Sequence, residues 1–217
     1  MQFDVITLFP NTFQGFLEES IIKRAQAKGL VKINLHNLRD YTKDKHKKVD
    51  DKPFGGGPGM VLMAEPIVLA IESLEKKLGR KAHKVLLTPA GKLFNQSKAS
   101  ALASKENIIL LCGHYEGFDE RIKDLVEFDE ISIGEYVLSG GEVPAMLIID
   151  AVSRLIPGVL GNPQSAAEES FVDEGKLDFP QYTMPRVYRD IPVPPVLLSG
   201  NHAAIKKWRD SIRKKNI

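Results

Sequence analysis

Residues 108–117, Ile108-Ile109-Leu110-Leu111-Cys112-Gly113-His114-Tyr115-Glu116-Gly117, decide the fold. The stretch opens on an unbroken apolar run that stops at a glycine. Such a run fits a strand buried on both faces of a parallel sheet. In open α/β sheets ligands bind outside the carboxyl ends of the strands, so the turn at 113–117 stands where a site belongs. Working outward, 85–88 and 131–138 read as further strands. They end in Leu87-Thr88-Pro89-Ala90-Gly91 and Leu138-Ser139-Gly140-Gly141-Glu142. The second of these turns runs directly into a helix over 144–156, ended by Pro157. Free backbone amides at that helix start can hold a polar or anionic group. Turns of this kind after successive strands predict one shared pocket.

The remaining N-terminal sequence alternates in the same way. Residues 3–9 form a strand closed by Pro10, and Asn11 caps a helix reaching about Lys28, with Phe13, Phe16, Leu17, Ile21 and Ala25 at helical spacing and Gly29 as its stop. A strand over 31–35 follows. Pro66 opens a helix through Ile67, Ala70, Ile71, Leu74 and Leu78 to Gly79. From Gly161 the texture changes to scattered prolines and an acidic stretch of Glu168, Glu169, Asp173, Glu174 and Asp178. Asn201 then caps a last basic helix containing Trp208. The expected organisation is a parallel-sheet α/β domain over 1–160, a linker over 161–178, and a small, mainly helical domain over 179–217.

Composition narrows the function classes. The chain has 217 residues, 43% hydrophobic and 27% charged, with a single cysteine. It can bury a full core unaided, and no internal disulfide or multi-cysteine zinc site is possible. The longest apolar run, 143–149, is far short of the ~20 residues of a membrane span and contains Pro144. The first residues lack a signal-peptide pattern. These features predict a cytoplasmic protein without a membrane partner. His36, His46, His83, His114 and His202 show no metal-ligand spacing.

The net charge of +2 hides an uneven distribution: residues 201–217 carry +5 and the remainder −3. A second basic cluster, Lys43, Lys45, His46, Lys47, Lys48 and Lys52, is diluted by Asp44, Asp50 and Asp51. Two such patches point to a polyanion, with solvated lysine surfaces as the plain alternative. Neither a Gly-x-Gly-x-x-Gly fingerprint nor a P-loop is present. Gly55-Gly56-Gly57-Pro58-Gly59 implies positive φ angles or a close approach of another chain or ligand. Cys112, at the end of an apolar strand, reads as an inert buried thiol. Arg154, inside an otherwise apolar helix, needs a carboxylate, phosphate or carbonyl partner. An inter-helix salt bridge would also serve. Glu116, Asp119, Glu120 and Arg121 read equally well as a solvated first helical turn.

Four stretches go further. They are Phe54-Gly55-Gly56-Gly57-Pro58-Gly59-Met60, residues 112–121, residues 133–142 (Ile133-Gly134-Glu135-Tyr136-Val137-Leu138-Ser139-Gly140-Gly141-Glu142), and residues 149–161. Together they resemble the bacterial tRNA (guanine-37 N1)-methyltransferase family, of the knotted SPOUT group, and the likeness covers almost the whole chain. The resemblance implies S-adenosylmethionine as methyl donor, a deep trefoil knot near the end of the α/β domain, and an obligate homodimer whose second subunit completes each site. It implies donor contacts at Leu87, Pro89, Gly113, Tyr115, Glu116, Ile133, Gly134, Glu135, Tyr136, Val137, Leu138, Gly140, Gly141 and Pro144. It also implies a Mg²⁺ requirement.

The reaction expected is methyl transfer to N1 of guanine-37 in tRNA, next to the anticodon. Guanine N1 is a poor nucleophile until its proton leaves, so a carboxylate base and a cation near O6 are required. The family's arginine matches Arg154. Its aspartate falls on Glu169, a departure that keeps the carboxylate and adds a methylene; Glu168 and Asp178 are the alternatives. The linker would act as a lid over a base taken out of its stack. Another departure, Met184 in Tyr182-Thr183-Met184-Pro185, removes a cation from the usual pattern. The basic helix, with Lys206, Lys207, Arg209 and Arg213, would contact tRNA phosphates. The rivals are a knotted methyltransferase for another RNA position and a catalytically silent tRNA-binding module.

Overall fold

A computed structural model of the chain describes residues 1–161 and 177–213. The chain divides into two compact units, Met1–Gly161 and Asn162–Ile217. The first is built on a five-stranded sheet of β1 (Gln2–Thr7), β2 (Lys32–Asn37), β5 (His83–Leu93), β6 (Asn107–Leu111) and β7 (Asp129–Ser132). Their order is β2-β1-β6-β5-β7, and every pairing is parallel.

The apolar run at 108–112 occupies the centre of this sheet for the reason its sequence implies. Ile108, Leu110 and Cys112 enter one core, with Phe3, Val5, Val85, Ala145, Ile148 and Ile149. Ile109 and Leu111 enter the opposite core, with Ile6, Ile67, Ile71, Leu74 and Leu86. Period-2 alternation of side chains on a doubly covered sheet produces that division. The first face is covered by α2 (Ser20–Ala27), α4 (Gln96–Ala103) and α6 (Glu142–Ser153). The second is covered by α3 (Ala64–Leu78) and α5 (Ile122–Leu125). α3 ends at Gly79, whose φ of 69° is the left-handed stop expected of a C-terminal glycine. A short hairpin, β3 (Asp50–Asp51) with β4 (Val61–Leu62), stands apart from the sheet.

Three expectations need correction. The strand expected over 85–88 runs on to Leu93, and the turn expected at 87–91 is a register shift inside it, between Leu87 and Lys92. The helix expected from Asn11 to Lys28 is broken into a 3-10 turn over Pro10–Phe13, α1 (Gln14–Leu17) and α2. Ser20, the first residue of α2, has φ 49°, so α2 does not continue from α1, and Asn11 caps nothing. The strand expected over 131–138 ends at Ser132. Gly134, at φ 158°, presses against the ring of Tyr136, and Tyr136, Val137 and Leu138 turn out to solvent. Apolar character there belongs to an exposed loop, which sequence periodicity cannot separate from a strand.

In the second unit the helix α8 (His202–Ile212) is capped by Asn201, whose Oδ1 accepts from the Ala204 amide at 3.0 Å. It is preceded by α7 (Pro195–Leu198) and by a hairpin of β8 (Val187–Tyr188) and β9 (Ile191–Pro192) that sequence reading missed. The hairpin's turn residues Arg189 and Asp190 have φ 47° and 64°, both positive as a two-residue type I′ turn requires.

Candidate active site

At the carboxyl ends of β6 and β7, and beside the irregular middle of β5, the chain encloses a cavity of about 450 Å³. Its floor comes from β5 (Leu86, Leu87) and from Ile131 and Ser132 of β7. The stretch Thr88–Ala90, where β5 shifts register against β7 between Leu87 and Lys92, the turn after β6 and the loop leading into α6 make its walls. Of the expected donor contacts, Leu87, Pro89, Gly113, Tyr115, Glu116, Ile133, Gly134, Tyr136, Val137, Leu138, Gly140, Gly141 and Pro144 all line it. Glu135 does not; it is exposed on the same loop.

Glycine makes this convergence possible. The Gly141 amide donates to the Gly113 carbonyl at 2.8 Å, which ties the loop before α6 across the end of β6. A β-carbon on Gly141 would stand 2.6 Å from Cys112 Cα. One on Gly140 would meet the Glu142 carboxylate and lie 2.9 Å from His114 Nδ1. The double glycine is thus a crossing of two backbones, where sequence alone supported only a turn. Beneath it, the buried Glu142 carboxylate accepts from Thr7 Oγ1 at 2.6 Å. That contact spans 135 positions, so no local pattern announces it. Cys112 is fully buried, and burial, with the Glu142 charge beside it, pushes its thiol well above the ordinary value. The thiol is inert.

Sequence reasoning also passed over His114. It lines the cavity, its ring packs on Phe9 and Tyr115 at 4.8 and 4.6 Å, and its Nδ1 is buried without a hydrogen-bond partner among the described residues. Tyr115 beside it sits at φ 61°. A non-glycine residue held there is strain that surrounding structure must impose. The constraint comes from β4: the Glu116 amide donates to Met60 O at 3.0 Å and the Leu62 amide to Gly117 O at 2.9 Å. Gly59, at φ 78°, lets the Glu116 side chain lie against it. The glycine-rich stretch therefore backs the turn at 115–117 that lines the cavity, without lining it itself.

Arg154 is at the C-terminal end of α6, half-buried, and is not among the residues lining the cavity. Glu169 and Glu168 lie outside the described residues. Asp178 Oδ1 accepts from the Phe179 amide at 2.7 Å. Asp119 is held below its ordinary value by the guanidinium of Arg121, which it bridges two residues on. It caps the turn leading into α5. Among the described residues no group of three or more His, Cys, Asp or Glu gathers as a metal site. No helix there is long and apolar enough to cross a membrane.

In the second unit Lys206 and Lys207 are exposed. Arg209 and Arg213 are not free phosphate hooks: their guanidinium carbons lie 4.3 and 5.6 Å from the Phe179 ring centre. Stacking of this kind holds a cation in place without neutralising it.

The family model described as "tRNA (Guanine-1)-methyltransferase TrmD" matches residues 1–217. A tRNA (guanine-N(1)-)-methyltransferase of Moorella thermoacetica is 56% identical over 212 residues, covering 96% of this chain and 84% of that protein. One from Dehalococcoides mccartyi is 53% identical over 216 residues, covering 99% and 87%. The crystal structure of a tRNA (m1G37) methyltransferase from Aquifex aeolicus aligns with a TM-score of 0.80 at 41% identity, over 96% of this chain and 87% of that one. With matches along its full length and a cavity at the carboxyl ends of its parallel strands, this chain belongs to the TrmD family of tRNA (guanine-N1)-methyltransferases.

Proposed function

We propose that this enzyme moves the methyl group of S-adenosylmethionine to N1 of guanine-37 in tRNA, as a cytoplasmic homodimer. The observation that carries the reading is the cavity at the crossing of 113 and 141, whose walls are the strand-end turns. Its volume of about 450 Å³ falls within the ~300–1,000 Å³ of small-molecule sites. Apolar Leu86, Leu87, Ile131 and Pro144 alternate there with Glu116, Glu120 and Ser132, a lining suited to an amphipathic donor. The tie between Gly141 and Gly113 is the place we assign to the trefoil knot.

When bound, the donor supplies an electrophilic methyl group on a sulfonium. The protein's part is to expose a nucleophile. A carboxylate, assigned to Glu169, takes the N1 proton as the new N–CH₃ bond forms, and Arg154 offsets the charge developing on O6. The base comes from the second subunit, on a linker over 161–178 that closes as a lid and excludes water. The basic domain over 179–217 holds the RNA backbone through Lys206 and Lys207, with Arg209 and Arg213 as stacked cations behind them. A Mg²⁺ requirement belongs to the same reading. Loss of transfer after chelation, restored by added Mg²⁺, tests it.

The deciding experiment measures transfer of labelled methyl to two tRNA transcripts, with guanine or adenine at position 37. Label should enter the guanine transcript alone, and Glu169→Gln should slow it by roughly 10²–10⁴-fold with donor affinity unchanged. Donor and tRNA binding without transfer by the wild-type enzyme would instead mark a silent binding module.

A further inference from the structure

Phe54 is fully exposed, at 100% of its surface. It stands at the tip of the hairpin formed by β3 and β4, and no other large apolar side chain of residues 50–63 is exposed. Its position is nonetheless built. Gly55, Gly56, Gly57 and Gly59 have φ of 84°, 83°, 121° and 78°, values that side-chain-bearing residues rarely adopt. The Gly56 amide closes the tip by donating to Pro53 O at 3.3 Å. At the hairpin's base the Met63 amide donates to the carbonyl of buried Val49 at 2.8 Å, and the Asp119 amide to Leu62 O at the same distance. The Met60–Glu116 and Leu62–Gly117 bonds join this base to the cavity wall. An aromatic ring is therefore held out in water by a shaped loop that is continuous with the site.

We infer that Phe54 is a base-stacking residue, which receives a nucleobase of the RNA substrate beside the one being methylated. The inference rests on the tRNA reading above. A protein partner fits this tip poorly, because interface cores are contiguous apolar patches depleted of charge. Phe54 is instead isolated among glycines and prolines, close in sequence to exposed Lys45, His46 and Lys52, while Lys48 is paired with Asp51, Lys47 with Asp40 and Lys43 with Glu65. An aromatic face on a loop flanked in sequence by lysines matches single-stranded nucleic acid, in which each base offers a π face and each phosphate a charge. A tRNA base pulled from its stack leaves its neighbour with an uncovered face, and Phe54 supplies the replacement.

The test compares wild type with Phe54→Ala, Phe54→Leu and Phe54→Tyr. The readouts are Kd and KM for the guanine-37 transcript, donor Kd, and mass in solution by light scattering. Phe54→Ala should weaken tRNA binding by roughly tenfold or more, the usual effect of deleting a stacking ring. Phe54→Tyr should restore it, Phe54→Leu should stay impaired, and donor affinity and mass should not change. The inference is overturned if Phe54→Ala binds tRNA as wild type does, if leucine rescues as well as tyrosine, or if Phe54→Ala lowers the mass, which would make the ring a contact between chains. A wild-type enzyme that does not methylate the transcript would instead refute the tRNA reading.

Discussion

At position 141 a single methyl group decides whether two strands of backbone can cross. An alanine β-carbon there would stand 2.6 Å from Cys112 Cα and 2.7 Å from the Gly113 nitrogen, and neither atom can swing aside as a flexible side chain would. The φ of −82° at Gly141 is open to any residue, so the requirement is space alone. Gly141→Ala should therefore cost about 1–3 kcal/mol or more in denaturant unfolding, as overpacking does, and should remove donor binding measured by calorimetry. Gly15→Ala is the control. It lies in α1 with nothing within 4 Å of the added methyl, so it should be neutral or gain roughly 0.5–1 kcal/mol. Equal stability of the two variants would mean that the crossing is not tight.

The edge strand β2 is tied to β1 by a buried carboxylate. Asp4 accepts from Asn34 Nδ2 at 2.9 Å and Gln2 Nε2 at 2.8 Å, and His36 Nε2 lies 2.8 Å from it, with Tyr41 on the far side of the imidazole. Burial works to raise the Asp4 carboxyl, but the hydrogen bonds from His36, Gln2 and Asn34 outweigh it and hold it below 3.8. Asp129, likewise lowered despite burial, is paired with Lys98 at 2.7 Å and His83 at 3.0 Å. A depressed carboxylate contributes stability that is complete above its unfolded value and is lost as pH falls through its folded one. The melting temperature should therefore drop on the acid side, below about pH 4. Asp4→Asn should lower stability near neutrality by about 1–3 kcal/mol and flatten that acid limb; an unchanged limb would remove Asp4 from the account.

Elements of this kind show what sequence makes legible. The β6 run, the Gly79 stop and the Asn201 cap rest on local chemistry and were readable. The break at Ser20, the end of β7 at Ser132 and the two-residue strands were not, because burial and partners far along the chain decide them. At the site, the turn after β6 and the loop into α6 were legible, while Leu87–Gly91, expected as a turn, is an irregularity inside β5. The crossing of 113 with 141, the Thr7–Glu142 bond and the unpartnered His114 ring exist only once the sheet is assembled.

On the scale of the whole molecule, the proposed chemistry divides one reaction between two subunits: a donor cavity in one, and a base on the other's linker. Closed two-fold symmetry makes this economical, since one interface creates two equivalent sites. It also makes the division measurable. Leu138 lines the cavity and is 41% exposed, so Leu138→Trp should fill the cavity without disturbing the core and abolish donor binding. Glu169→Gln should remove the base and leave donor binding intact. Co-expressed, the two inactive chains form mixed dimers in which one site carries both defects and the other carries neither. Random pairing then restores about one quarter of wild-type activity. If cavity and base belong to the same subunit, every site in a mixed dimer carries one defect and no activity returns. Activity recovered in the mixed-dimer fraction, isolated by two affinity tags, would thus locate the base across the interface, and an inactive fraction would return the whole reaction to a single chain.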